Sequence, residues 1–111
     1  HSYKVRAAQA LVEQKAAELQ ATEQQALQDI VQLHAEARAA LNNLQAARSL
    51  FAVSSDAAAS SQRQYEMGAA DIVQLNQSLG NLQQAQLELA RGRTDWNRAR
   101  LRLWLHETVS Q

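Results

Sequence analysis

The chain has 111 residues, 46% of them hydrophobic but only 5% aromatic, with three Gly, no Pro and no Cys. Eleven basic and eleven acidic side chains cancel to a net charge of zero, so no global field directs the chain to nucleic acid or to an anionic membrane. Without thiols there is no disulfide framework, no apolar run is long enough to span a bilayer, and no signal-peptide pattern is present.

Ala and Gln are the two commonest residues, and with Leu, Glu and Arg they favour helix throughout. Small side chains and few aromatics argue against a thick globular core and suit thin helix-to-helix seams. The chain begins with His1 rather than Met, so it is expected to be a processed or excised piece, His1 itself being a possible tag remnant.

The first predicted helix covers about residues 2–66. Its apolar and small residues alternate in steps of four and three: Val12, Ala16, Leu19, then Ala26, Ile30, Leu33, Ala37, Ala40, Leu44, Ala47 and Phe51, with Glu23 as an exception. The register continues through Ser54, Ala58 and Ser61 to Tyr65, and a sustained 3.5-residue period marks helices that supercoil around partners. Leu11, Leu27, Val31, Leu41 and Leu50 fall off this stripe and hint at a second apolar face, as a helix inside a ring or bundle requires.

A tip turn is expected at about 67–70. Gly68 can adopt the left-handed conformation that ends a helix, and Asp71 can cap the next one, with Gln74 completing an Asp-x-x-Gln capping box. The second helix, about 71–110, carries Leu75, Leu79 and Leu82, then after one skipped register Ala85, Leu89, Gly92, Trp96, Ala99 and Leu103. The fold class is therefore all-α, a long antiparallel two-helix coiled-coil hairpin. Folding at residue 69 sets Phe51 near Leu87, Trp96 near Asn42 and Gln111 opposite Gln28. The start of the first helix is left without a partner, and its Val5, Leu11, Val12 and Leu19 call for a cover from outside.

The residues offer little chemistry. His1, His34 and His106 have no metal-ligand spacing, and no nucleophile triad, phosphate loop or carboxylate pair is visible, so no metal, no cofactor and no catalysis are expected. Arg91, Arg93, Arg98, Arg100 and Arg102 cluster on the second helix, relieved by Asp95. With balanced total charge they read as a solvated face pairing with acidic neighbours rather than a nucleic-acid stripe. Trp96 and Trp104 read as packing residues.

The run Tyr65-x-x-Gly68-x-x-Asp71-x-x-Gln74, followed by Leu82, Ala85, Glu88-Leu89-Ala90, Arg93 and Trp96, resembles the TolC-type outer-membrane factors. Those proteins carry Tyr-x-x-Gly-x-x-Ser/Thr-x-x-Asp, a Leu-x-x-Ala ladder, then Arg and an aromatic. The resemblance implies a trimeric channel of Gram-negative bacteria, with an outer-membrane β-barrel joined to a periplasmic α-barrel of hairpins such as this one. It implies a role in type I protein secretion or multidrug efflux, through a periplasmic adaptor and an inner-membrane transporter. It places Tyr65, Gly68, Ala69, Ala70 and Asp71 at the tip that gates the pore and docks the adaptor, and Gln74 and Gln77 at the pore constriction. Ala70 departs from a basic residue of the best-known member, and Gln74 and Gln77 stand where that member has aspartates. Two other readings remain open: the hairpin of a periplasmic adaptor, whose Arg, Leu and Ser tip signature is not found here, and a purely structural coiled coil.

Overall fold

Nothing in residues 2–66 interrupts a helix, since Pro is absent and the first Gly is Gly68. In the computed structural model, which describes residues 2–109, α1 accordingly runs Ser2–Glu66 without a break and α2 runs Ile72–Val109. The two are antiparallel, and the molecule measures 99 × 23 × 13 Å. The smallest dimension is about one helix diameter with its side chains. The hairpin is thus two helices wide and one helix thick, and its only internal seam is the line between α1 and α2.

That seam is where the four-three pattern lies. Leu33, Ala37, Leu44, Ser54 and Ala58 of α1 are buried against Leu75, Ala85, Leu89 and Gly92 of α2. Leu44 is the largest side chain enclosed completely, at 2% exposure. Gly92 explains how it fits. A Cβ built on Gly92 would stand 3.4 Å from the Leu44 Cα and 3.5 Å from its Cδ1, so the missing side chain lets the two backbones approach at that level. Nearer the turn the α1 side of the seam shrinks to Ser and Ala. There the Ser61 and Ser78 hydroxyls hydrogen-bond at 2.7 Å, joining the helices across the seam.

One seam residue differs from expectation. Leu79 is 40% exposed, and Ser78 with Leu82 takes the position facing α1. The step from Leu75 to Ser78 is three and from Ser78 to Leu82 four, which keeps the stripe on α1; a Leu75–Leu79 step would lead off it.

At the open end, Arg102 Nη1 donates to Glu36 Oε2 at 3.0 Å, and His34 Nε2 lies 3.2 Å from Glu107 Oε1. These contacts and the Ser61–Ser78 bond fix the register around residue 69. Trp96 accordingly shares a groove with Asn42 and Leu41. Gln111, expected opposite Gln28, lies outside the described residues, as do His1 and Ser110. Beyond the open end every residue from Ser2 to Gln28 is exposed, a helical overhang about 40 Å long. Its Val5, Val12 and Leu19 continue the seam stripe into solvent, at 49%, 67% and 60% exposure.

Because the core is one layer deep, a void at Leu44 has no second shell to collapse into it. Leu44→Ala is expected to lower unfolding free energy by about 2–4 kcal/mol. Thermal unfolding followed by circular dichroism, at matched protein concentration, measures this directly.

Candidate functional site

Among the described residues, the tip is the one place where the chain leaves helical geometry. Gly68 has φ +74°, the only positive φ among the described residues, and there it replaces a conformation that a Cβ would strain. The Ala69 amide donates to the Gln64 carbonyl at 2.7 Å and the Gly68 amide to the Tyr65 carbonyl at 3.0 Å. This crossed pair is a Schellman motif, and it satisfies carbonyls that the end of α1 would otherwise leave bare. On the other side of the turn, Asp71 Oδ1 accepts from the Gln74 amide at 2.8 Å, and the Asp71 carbonyl accepts from the Leu75 amide at 3.3 Å. Asp71 is therefore the N-cap of α2. The return arm of the capping box, from the Gln74 side chain to the Asp71 amide, does not form among the described residues.

Around these bonded groups the tip turns several large apolar side chains to solvent. Tyr65 is 42% exposed, Met67 75%, Ile72 48% and Val73 68%. Tyr65, in register with the seam, thus stands at its edge instead of closing it. Gly68, Ala69 and Asp71 are exposed and Ala70 is half-buried. The result is a small apolar end on a polar rod, with the Asp71 carboxylate beside it. Gln74 and Gln77, one turn apart at the start of α2, are both exposed, so their amides are free for contacts outside the hairpin. Met67, Ile72 and Val73 were not singled out by sequence reasoning. The available signal was their position: large apolar residues flanking a turn, off the seam stripe.

The remaining candidates lie toward the open end. Arg102 pairs with Glu36, and Arg98 Nη1 lies 3.8 Å from Asp95 Oδ1 within the same helix. Arg91, Arg93 and Arg100 form no ion pair among the described residues. A groove of about 620 Å³ follows Trp96 and Leu103 between His34, Arg38 and Leu41. Trp96 is half-buried there, whereas Trp104 is 58% exposed beside Leu101. His106 Nε2 is enclosed near Leu33 and Arg102 without a hydrogen-bond partner among the described residues. No group of three or more His, Asp or Glu among the described residues could hold a metal ion, and no described helix is long and apolar enough to cross a membrane.

The turn depends on two residues for different reasons, and their variants separate them. Gly68→Ala is expected to cost about 1 kcal/mol through the positive φ. Asp71→Ala is expected to cost about 1 kcal/mol by leaving the Gln74 amide without its acceptor. Amide hydrogen exchange should place the loss differently, at the end of α1 for the first and the first turn of α2 for the second. Comparison with family models, with curated proteins and with solved structures finds no match for this chain.

Proposed function

We propose that the chain is a wall-and-tip hairpin of a trimeric outer-membrane export duct of the TolC type, lying in the periplasm of a Gram-negative bacterium. The observation that carries this reading is the tip. The residues of the Tyr65-x-x-Gly68-x-x-Asp71-x-x-Gln74 run build a turn capped on both sides, with apolar side chains exposed at the end of a 99 Å rod. A rod of this shape has no interior for a substrate, so its work is done by its surfaces. In this reading the tip, with Tyr65, Gly68, Ala69, Ala70 and Asp71, docks a periplasmic adaptor and through it an inner-membrane transporter. The exposed overhang is covered by parts of the protein beyond this chain. The hairpin performs no catalysis and carries no cofactor; it lines and gates a conduit for a secreted protein or for small toxic molecules.

The pore chemistry follows from Gln74 and Gln77. In a trimer their amides would ring the opening with polar but uncharged groups. Such a ring offers hydrogen bonds to a passing ion without the field that a carboxylate ring would focus. Single-channel recordings of the full-length protein should therefore show weak cation preference and no block by trivalent cations at the tip. A strong cation preference that vanishes in Gln74→Ala with Gln77→Ala would overturn the reading of an uncharged ring with weak preference.

Docking is tested by a photo-crosslinking amino acid at Ala69 in the full-length protein, in its own cells, read by mass spectrometry. Capture of a periplasmic adaptor is the expected outcome. Capture of an outer-membrane channel would put the hairpin on the adaptor side of the joint, and capture of no partner would make it a structural coiled coil.

A further inference from the structure

Sulfur occurs once in this chain, in a single Met, since Cys is absent. That thioether belongs to Met67, which stands between Glu66, the last residue of α1, and the positive-φ Gly68. Met67 is 75% exposed, the most exposed of the tip's four large apolar side chains, the others being Tyr65, Ile72 and Val73. Its amide donates to the Arg63 carbonyl at 3.1 Å, so the end of α1 holds the backbone at this residue. Its side chain lies outside the buried seam, whose members nearest the turn are Ala58 and Leu75. The fold therefore makes little use of the one sulfur it carries.

An exposed thioether is open to two-electron oxidants. A lone pair on the Met67 sulfur attacks one oxygen of hydrogen peroxide, and the S–O bond forms as the O–O bond breaks. The sulfur loses two electrons and becomes a sulfoxide. The departing hydroxide takes the proton of the transferred hydroxyl and leaves as water. Ile72 and Val73 are hydrocarbons and offer no such lone pair. The product changes the character of the tip, because an apolar, flexible side chain becomes a polar one. While the tip is free, the sulfoxide oxygen is hydrated. Against an apolar partner surface it must shed that water, at a cost unless a donor meets it. Oxidation thus penalises a docked tip and leaves a free one nearly unchanged.

We propose that Met67 is an oxidation-sensitive contact of the tip: a peroxide converts its sulfur to the sulfoxide and so weakens docking of a partner whose matching surface is apolar. A thiol-dependent methionine sulfoxide reductase restores the contact. In that return step two thiols supply two electrons and two protons, the S–O bond breaks, and water and a disulfide leave. Docking and oxidation compete for the same atom. A partner seated on Met67 shields the sulfur, so peroxide acts on unassembled tips and holds them unassembled. Regulation of this kind rests on the docking reading of the tip and adds to it a dependence on the oxidation state of one sulfur.

In the 111-residue chain, dilute hydrogen peroxide should add a single oxygen, located at Met67 by peptide mass spectrometry, at a rate comparable with free methionine. Helicity and thermal midpoint, by circular dichroism, should not change. In the full-length protein, in its own cells, with the photo-crosslinking amino acid at Ala69, a brief peroxide pulse before illumination should lower adaptor capture about tenfold. A recovery interval should restore capture as the sulfoxide is reduced. Met67→Leu, of similar volume and without sulfur, should capture as the unaltered protein does and keep its capture through the pulse. Met67→Gln, polar at all times, should capture poorly without peroxide. Equal loss in Met67→Leu would put the sensitive group elsewhere and overturn the proposal. Full capture by Met67→Gln, or a lowered thermal midpoint in the oxidised chain, would overturn it too. Capture that survives complete oxidation of Met67 removes this proposal alone, whereas no capture from the untreated protein removes the duct reading and the proposal with it.

Discussion

A rod one helix thick has no second layer for its side chains to pack under, and this single geometric constraint governs the rest of the molecule. Each residue has one neighbouring helix to bury against, so enclosure depends on how closely the two axes approach rather than on how many layers converge. The chain meets the constraint with small residues. Ala37, Ala58, Ala85 and Gly92 bring the backbones together, and Leu44, beside Gly92, is enclosed because of that proximity. A bulky residue in place of Gly92 would push the helices apart and expose Leu44, so the two positions are a matched pair rather than independent contributions.

The same constraint leaves the two ends of the hairpin with different character. At the tip the Gly68 and Asp71 devices cap the two helix ends, and Met67, Ile72 and Val73 stand exposed beside Asp71 and Gln74. At the open end the Glu36–Arg102 and His34–Glu107 pairs draw α2 onto α1, and then α2 stops while α1 continues. Both pairs are exposed, so each adds at most a fraction of a kcal/mol and mainly fixes the level at which the helices meet. The stripe that they leave uncovered, Val5 to Leu19, is continuous with the buried one. Its spacing is that of the buried stripe, without a change in pattern.

The hairpin was legible because its signals are local and redundant: a long four-three stripe without breakers, a Gly in the one place where φ must be positive, and an Asp three residues on. The position of the fold followed from these. What was not legible depended on which of two overlapping stripes a residue serves. Leu79 reads as seam because it is Leu, yet Ser78 occupies the seam and bonds Ser61 across it, since periodicity counts faces while hydropathy counts atoms. Tyr65 likewise keeps the register and still stands at the edge, because beyond it α1 ends and no neighbour remains to cover the ring. Gly92 was placed on the seam, but the close approach it permits at Leu44 is a three-dimensional fact. The roles assigned to the tip come from resemblance, and no local pattern distinguishes a docking turn from any other well-capped one.

The grading of the seam along its length has a mechanical consequence. Toward the open end the α1 side presents Leu33 and Leu44, and sliding one helix against the other there would open voids with a cavity cost. Toward the tip the α1 side presents Ser54, Ala58 and Ser61, whose small side chains leave shallow relief, so a displacement of a few tenths of an ångström opens little space. The Ser61–Ser78 bond is the directional tie in that region, and a hydroxyl pair can re-form with water on either side at small net cost. The seam is therefore deeply interlocked where leucines fill it and shallow where the chain turns.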